Sequence, residues 1–279
     1  MKFEEYTQTG SSIQKRIQAI ESIPVDEINR QPALETLFSC LDLTTLEGTD
    51  NKKKINGLCD QALGYRKLLL GKTVAAVCVY SPFVRQAKAI LSGSEIKVAT
   101  VACAFPSGQL PLHLKIEEVK WAVAEGADEI DMVISRGKML EGDFDAIYEE
   151  VSQVKKACGS AHLKVILETG ELQSVQLIRK ACELAIEGGA DFLKTSTGKV
   201  SPAATPEAVV IMLDTIKEYY HATNIKIGLK PAGGISEPVD ALLYYQLVRE
   251  IVGKDWLNNT LFRIGASRLA DKLKNLLAD

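Results

Sequence analysis

The chain has 279 residues, 46% of them hydrophobic and 25% charged, with a formal net charge of −3 and its acidic and basic residues interspersed. Such a chain can bury one large core or two modest ones, and it offers neither a basic face for nucleic acid nor a polybasic membrane anchor, so a small-molecule partner is expected. No apolar run approaches the roughly 18 residues of a membrane span, and the opening MKFEEYTQTG is acidic and lacks an apolar signal stretch, so the expected location is cytoplasmic.

Residues 1–39 read as an N-terminal helical extension, and residues 40–279 as the catalytic domain. In the latter, β-branched runs alternate with amphipathic helical stretches. The strand candidates are LDLTTLE from Leu41, TVAAVCVY from Thr73, KVATVACAF from Lys97 and EIDMVIS from Glu129. LKVILETG from Leu163, FLKTSTG from Phe192, KIGLKPAGG from Lys226 and FRIGAS from Phe262 bring them to eight. Between them lie helical patterns such as PLHLKIEEVKWAVAEGA, where Leu114, Val119, Ala122 and Val123 recur at helical spacing. Eight such units predict an α/β fold of the (β/α)₈ TIM-barrel type. A doubly wound open sheet fits less well, because it usually has fewer strands and no GxGxxG follows the first one.

The segments AVAEGADEIDMV and LAIEGGADFLKTS echo each other, and aligning Asp128 with Asp191 places Asp131 at the position of Lys194. The six cysteines are scattered, mostly in apolar segments and without a CxxC, and read as reduced, buried thiols. His113, His162 and His221 form no ligand-spaced cluster, so no metal is expected.

Strand side chains alternate faces, so Lys194 shares a face with Ser196, Lys230 with Gly228, Asp131 with Val133 and Asp42 with Thr44. The same parity groups Cys78 with Tyr80, and Lys164 with Ile166 and Glu168. Lys164 and Glu168 alone read as readily as a structural ion pair. Lys194, Lys230 and Asp131 together, on neighbouring or near-neighbouring barrel strands, point to chemistry at the strands' C-terminal ends.

An amine is a nucleophile only when neutral, and lowering a lysine pKa by about three units costs about 4 kcal/mol. A second ammonium about 5 Å away at an effective dielectric near 20 supplies roughly 3.3 kcal/mol, so charge repulsion is expected to do most of this and burial the rest. A neutral lysine forms a Schiff base with a carbonyl, and the iminium is an electron sink for an adjacent C–C bond. Asp131 is placed to move protons in that sequence. The loop KPAGGIS carries Gly233 and Gly234 ahead of a helix with Ser236 near its start, GAS ends at Ser267, and Gly198 with Lys199 completes a phosphate site after the sixth strand.

Taken together and in order, LDLTTLE, EIDMVI, LKVILETGEL, DFLKTSTGK, GLKPAGG and FRIGAS resemble the deoxyribose-phosphate aldolases, class I aldolases of the (β/α)₈ type. The likeness runs from about Leu41 to Leu273, and FPSGQ at Phe105 and the extension are similar to the longer, eukaryotic-type members. It implies reversible cleavage of 2-deoxy-D-ribose 5-phosphate to acetaldehyde and D-glyceraldehyde 3-phosphate, without metal or organic cofactor. It implies Lys194 as Schiff-base nucleophile, Lys230 as the lysine that depresses its pKa and joins proton transfer, and Asp131 as acid/base partner. Lys164, Asp42 and Cys78 match further site positions, and Gly233, Gly234, Gly265 and Ser267 the phosphate site.

Three positions depart from the family pattern. Arg268 stands where many members have a second small hydroxyl residue, Leu229 where phenylalanine commonly precedes the lysine, and the chain ends LLAD without a tyrosine-tipped tail. Another Schiff-base barrel, a transaldolase or keto-acid aldolase, would use the same lysine pair but a different donor. A catalytically silent sugar-phosphate sensor would be expected to have lost part of the Asp131, Lys194 and Lys230 set. Exposed apolar helix positions lead us to expect a homo-oligomer.

Overall fold

The computed structural model describes residues 2–24 and 27–278, so residues 1, 25 and 26 of the expected extension and residue 279 lie outside the described residues. Eight parallel strands alternate with helices: β1 Leu41–Thr44, β2 Ala76–Tyr80, β3 Lys97–Ala102, β4 Glu129–Val133, β5 His162–Ile166, β6 Phe192–Lys194, β7 Gly228–Lys230 and β8 Ile264–Ala266. Neighbours pair in chain order and β8 returns to β1. Parallel bridges Leu229 to Phe262 and Ala232 to Gly265 join the last two strands and close the ring. The predicted barrel is therefore the observed fold.

The strands are shorter than their apolar runs. In DFLKTSTGK only Phe192–Lys194 is strand, because the threonines that follow bond to neighbouring loops: Thr195 Oγ1 accepts from Ala232 N at 3.0 Å and Thr197 N donates to Glu168 Oε1 at 3.1 Å. Polar ends that leave the ladder in this way become the walls of the barrel mouth.

The echoed segments are one structural device used twice. Asp128 Oδ2 accepts from Val98 N at 2.8 Å and from Lys88 at 2.7 Å. Asp191 Oδ2 accepts from Leu163 N at 2.7 Å and from Lys155 at 2.5 Å. Each aspartate thus fastens the start of its strand to the preceding strand and to the helix ahead of that strand. Gly126 and Gly189, with φ of +100° and +97°, turn the chain just before each, and a side chain at either would press on the lysine stem.

Two helices occupy the extension, Gly10–Glu21 and Glu27–Ser39. Residues 2–9 are not helical, contrary to expectation: Thr9 caps the first helix by accepting from Ser12 N, and Phe3 and Tyr6 instead pack against the Arg179 guanidinium, each ring centre 5.1 Å from it. Ile13 and Ile17 are buried, and Arg16 makes a two-pronged pair with Asp214 at 2.6 and 2.8 Å. The extension therefore lies on the outer helices Pro206–Thr223 and Pro238–Ile251, and Glu27–Ser39 also meets the last helix, Leu269–Ala278.

Helix Leu112–Ala124 corrects a second expectation. Its inward face is Lys115, Val119 and Ala122, while Leu114 is exposed. Lys115 is buried because it pairs with Glu150 and donates to Ser135 Oγ at 2.8 Å. The apolar pattern alone could not reveal a buried ion pair linking residues so far apart in sequence. All six cysteines are buried free thiols, as expected.

Candidate active site

Inside the barrel, β1, β4, β5, β6, β7 and the residue just ahead of β8 contribute one connected set of charges. Asp131 is its centre. Its Oδ2 accepts from Lys194 Nζ and from Lys230 Nζ, each at 2.7 Å, and its Oδ1 accepts from Lys164 Nζ at 2.8 Å. Lys230 also pairs with Asp42, and Lys164 with Glu129 at 2.5 Å. Below them Arg263 donates to Asp42 Oδ1 and to Glu129 Oε1, both at 2.6 Å. Every member is buried, so each charge persists only because opposite charges replace its lost water.

These neighbours divide the three lysines. Burial is the largest influence on Lys194 and lowers its pKa; Asp131 opposes this and Lys230 reinforces it, and the net shift is downward. Burial acts on Lys230 as well, but Asp131 and Asp42 outweigh it and its pKa is raised. Lys164 is likewise raised, by Asp131 and Glu129 against burial. Desolvation favours the carboxylic acid form of Asp131, yet Lys164, Lys194 and Lys230 overcome it and hold the group well below the usual carboxylate range. The balance expected from sequence is thus reversed, with burial ahead of charge repulsion at Lys194. Asp131, bonded to both ammonium groups, is the second influence and acts against burial, and the repulsion from Lys230 comes after it.

A cleft of about 540 Å³ opens at the C-terminal ends of the strands. Of the three barrel lysines only Lys194 lines it; Lys164 and Lys230 lie beneath, with 0% exposure. The cleft is also lined by Gly198, Lys199, Gly233, Gly234, Gly265 and Ser267, so the residues expected to hold phosphate are gathered in one place. Gly198, Gly233 and Gly234 have φ of +77°, +83° and +80°. A Cβ on Gly233 would stand 2.8 Å from Gly198 Cα, so the two loops touch backbone to backbone. Among the described residues, none accepts a hydrogen bond from the backbone N–H of Gly198, Gly234, Ser236 or Ser267. Lys199 pairs with Glu47 at 3.0 Å, while Arg268 and Lys54 line the cleft with no carboxylate partner among the described residues.

Some expectations need correction. Ser236 stands near the helix start, as expected, but just outside it: the helix begins at Pro238, capped through Glu237 and Asp240, so the donors here belong to the glycine loop itself. Cys78 does not line the cleft; it is buried with Leu46, Ala76 and Ala99, and burial raises its thiol pKa. Asp42 and Lys164 also lie below the cleft, as ion-pair partners of the groups above them. Lys164 and Glu168 form no pair; Glu168 has φ +54° and bonds to Thr197 and Arg136 instead. Sequence reading missed Glu129 and Arg263, although strand parity groups them with Asp131 and Gly265.

The sequence profile of the DeoC/LacD family aldolases matches residues 36–251. The chain belongs to this family. Deoxyribose-phosphate aldolase of Homo sapiens is 45% identical over 245 residues, which are 84% of this chain and 77% of that protein. The deoxyribose-phosphate aldolase of Agrobacterium fabrum is 45% identical over 251 residues, 89% of this chain and 93% of that one. Among solved structures, the tetrameric deoxyribose phosphate aldolase of Aeropyrum pernix superposes with a TM-score of 0.71 at 25% identity, covering 96% of this chain and 97% of that one. The family match spans the lysine-bearing strands β5, β6 and β7 and the glycine loop after β7, but stops before β8.

Proposed function

We propose that this aldolase cleaves 2-deoxy-D-ribose 5-phosphate reversibly to acetaldehyde and D-glyceraldehyde 3-phosphate through a Schiff base on Lys194. The observation that carries the assignment to Lys194 is its contrast with Lys164 and Lys230. Lys194 alone combines access to the cleft with a lowered pKa.

In this reading the neutral Lys194 amine attacks C1 of the open-chain sugar. The carbinolamine loses water to give an iminium. A base removes the C3 hydroxyl proton, the C2–C3 bond breaks, and its electron pair flows to the iminium to form an enamine while glyceraldehyde 3-phosphate leaves. Protonation at C2 and hydrolysis release acetaldehyde and restore the amine. Lys230, with its raised pKa, serves as proton donor, and ionised Asp131 as acceptor and as the anchor that aims both lysines. No step calls for a metal or an organic cofactor.

Asp42 and Lys164 keep the buried charges paired from below, and Cys78 packs behind the cleft with no contact to the sugar. The phosphate is received by the N–H groups of Gly198, Gly234 and Ser267 with the Lys199 ammonium, while Gly233 and Gly265 allow the loops to approach. Residues 1–39 act as an extension of the catalytic domain 40–279. A cytoplasmic homo-oligomer fits the exposed apolar side chains Leu114 and Trp121 on one helix and the tetrameric Aeropyrum relative. No described helix is long and apolar enough to cross a membrane.

The reading is tested by supplying 2-deoxyribose 5-phosphate and measuring acetaldehyde released. In the synthetic direction acetaldehyde should serve as donor. Use of pyruvate or dihydroxyacetone in its place would instead favour a keto-acid aldolase or a transaldolase.

A further inference from the structure

Glu168 is fully buried, takes no part in the lysine cluster, and has a left-handed backbone, φ +54° and ψ +58°, that residues with a side chain adopt only when their surroundings enforce it. Its carboxylate accepts from Thr197 N at 3.1 Å through Oε1 and from Thr197 Oγ1 at 2.5 Å through Oε2. Because the hydroxyl proton of Thr197 is committed to Glu168, its lone pair is free to accept from Lys199 N, at 3.1 Å. The turn Thr197–Gly198–Lys199 is thereby fixed at both ends.

Arg136 holds Glu168 in place. Its NH1 donates to Glu168 Oε2 at 3.2 Å and meets Glu171 Oε2 at 2.9 Å, and its NH2 donates to the carbonyls of Pro106 and Ser107, each at 3.0 Å. One ionic clamp therefore joins the loops after β3, β4, β5 and β6. Its output is the position of Gly198, whose N–H has no acceptor among the described residues and whose Cα abuts the Gly233 loop.

We propose that Glu168, held by Arg136, is a positioning residue that sets the phosphate-binding turn at Gly198 and Lys199 and so determines the preference for phosphorylated over unphosphorylated sugar. This rests on the reading of the cleft as a sugar-phosphate site. Glu168 acts through Thr197 and leaves the reacting carbons to Lys194.

The test compares wild type with Glu168→Gln, whose amide keeps one acceptor oxygen but cannot accept the Thr197 hydroxyl proton on its nitrogen side. Steady-state constants are measured with 2-deoxyribose 5-phosphate and with 2-deoxyribose, together with the rate at which acetaldehyde is trapped on the enzyme by borohydride. The expected result is a KM for the phosphorylated sugar raised by about tenfold, in line with losing a hydrogen bond to a charged group, with acetaldehyde trapping and kcat/KM for 2-deoxyribose within about threefold of wild type. Thr197→Ser should keep the preference and Thr197→Val should lose it.

Equal losses with both sugars and in trapping would overturn the proposal in favour of a general structural role, and so would unchanged constants. If Glu168→Gln fails to fold, the Thr197 pair decides alone, since a hydroxyl-independent preference contradicts the mechanism. A wild-type enzyme that neither traps acetaldehyde nor cleaves the phosphorylated sugar would overturn the underlying reading, an outcome distinct from failure of the Glu168 variant alone.

Discussion

Lys194 and Lys230 aim their ammonium groups at the same atom, Asp131 Oδ2, each from 2.7 Å. The two nitrogens can therefore be separated by at most twice that distance, and one carboxylate oxygen mediates their repulsion. The pKa of Lys194 falls despite this carboxylate, because burial and Lys230 together outweigh it.

Lys194→Met keeps the apolar stem and removes the amine. Turnover should drop to background while circular dichroism and the oligomeric state remain those of wild type. Substantial residual cleavage would assign the Schiff base to another lysine.

Lys230→Leu removes a positive charge and leaves Asp131 to pull on Lys194 with less opposition. The pKa of Lys194 should rise, so the neutral amine appears only at higher pH. The pH profile of borohydride trapping should move to the alkaline side. An unmoved profile would mean that Lys230 does not set the reactivity of Lys194.

Arg263→Leu strands the Asp42 and Glu129 carboxylates inside the barrel without their shared guanidinium. Breaking a buried pair in this way costs about 3–5 kcal/mol, which urea unfolding would show as a lowered midpoint. A change below about 1 kcal/mol would mean that Lys164 and Lys230 compensate fully.

Gly233→Ala places a Cβ 2.7 Å from Ala203 Cβ and 2.8 Å from Gly198 Cα at a φ of +83°. The loop must shift, at a cost of order 1–3 kcal/mol. KM for the phosphorylated sugar should rise more than kcat falls, as steady-state kinetics would show. An unchanged KM would remove this loop from the phosphate site.

The barrel was legible because eight β-branched runs alternate with helical patterns, and the lysine set because a charge within such a run must face either solvent or a polar interior. Strand parity located Lys194, Lys230 and Asp131 correctly. The same parity applied to Glu129 and Arg263, but a charge at the edge of a run reads as a solvated strand end, and their burial becomes evident only when the strands close around them. Parity misled at Glu168, where a left-handed residue turns the chain out of β5 and redirects the side chain toward Thr197. The order of influences on Lys194 was not legible, because Asp131's place between the two lysines depends on side chains from three strands meeting at one point.

The central claim is tested most directly by incubating the protein with 2-deoxyribose 5-phosphate, reducing with borohydride, and mapping the modified peptide by mass spectrometry. A stable adduct on Lys194, absent from Lys164 and Lys230, is the predicted result. No adduct on a folded protein, or an adduct confined to another lysine, would contradict the account.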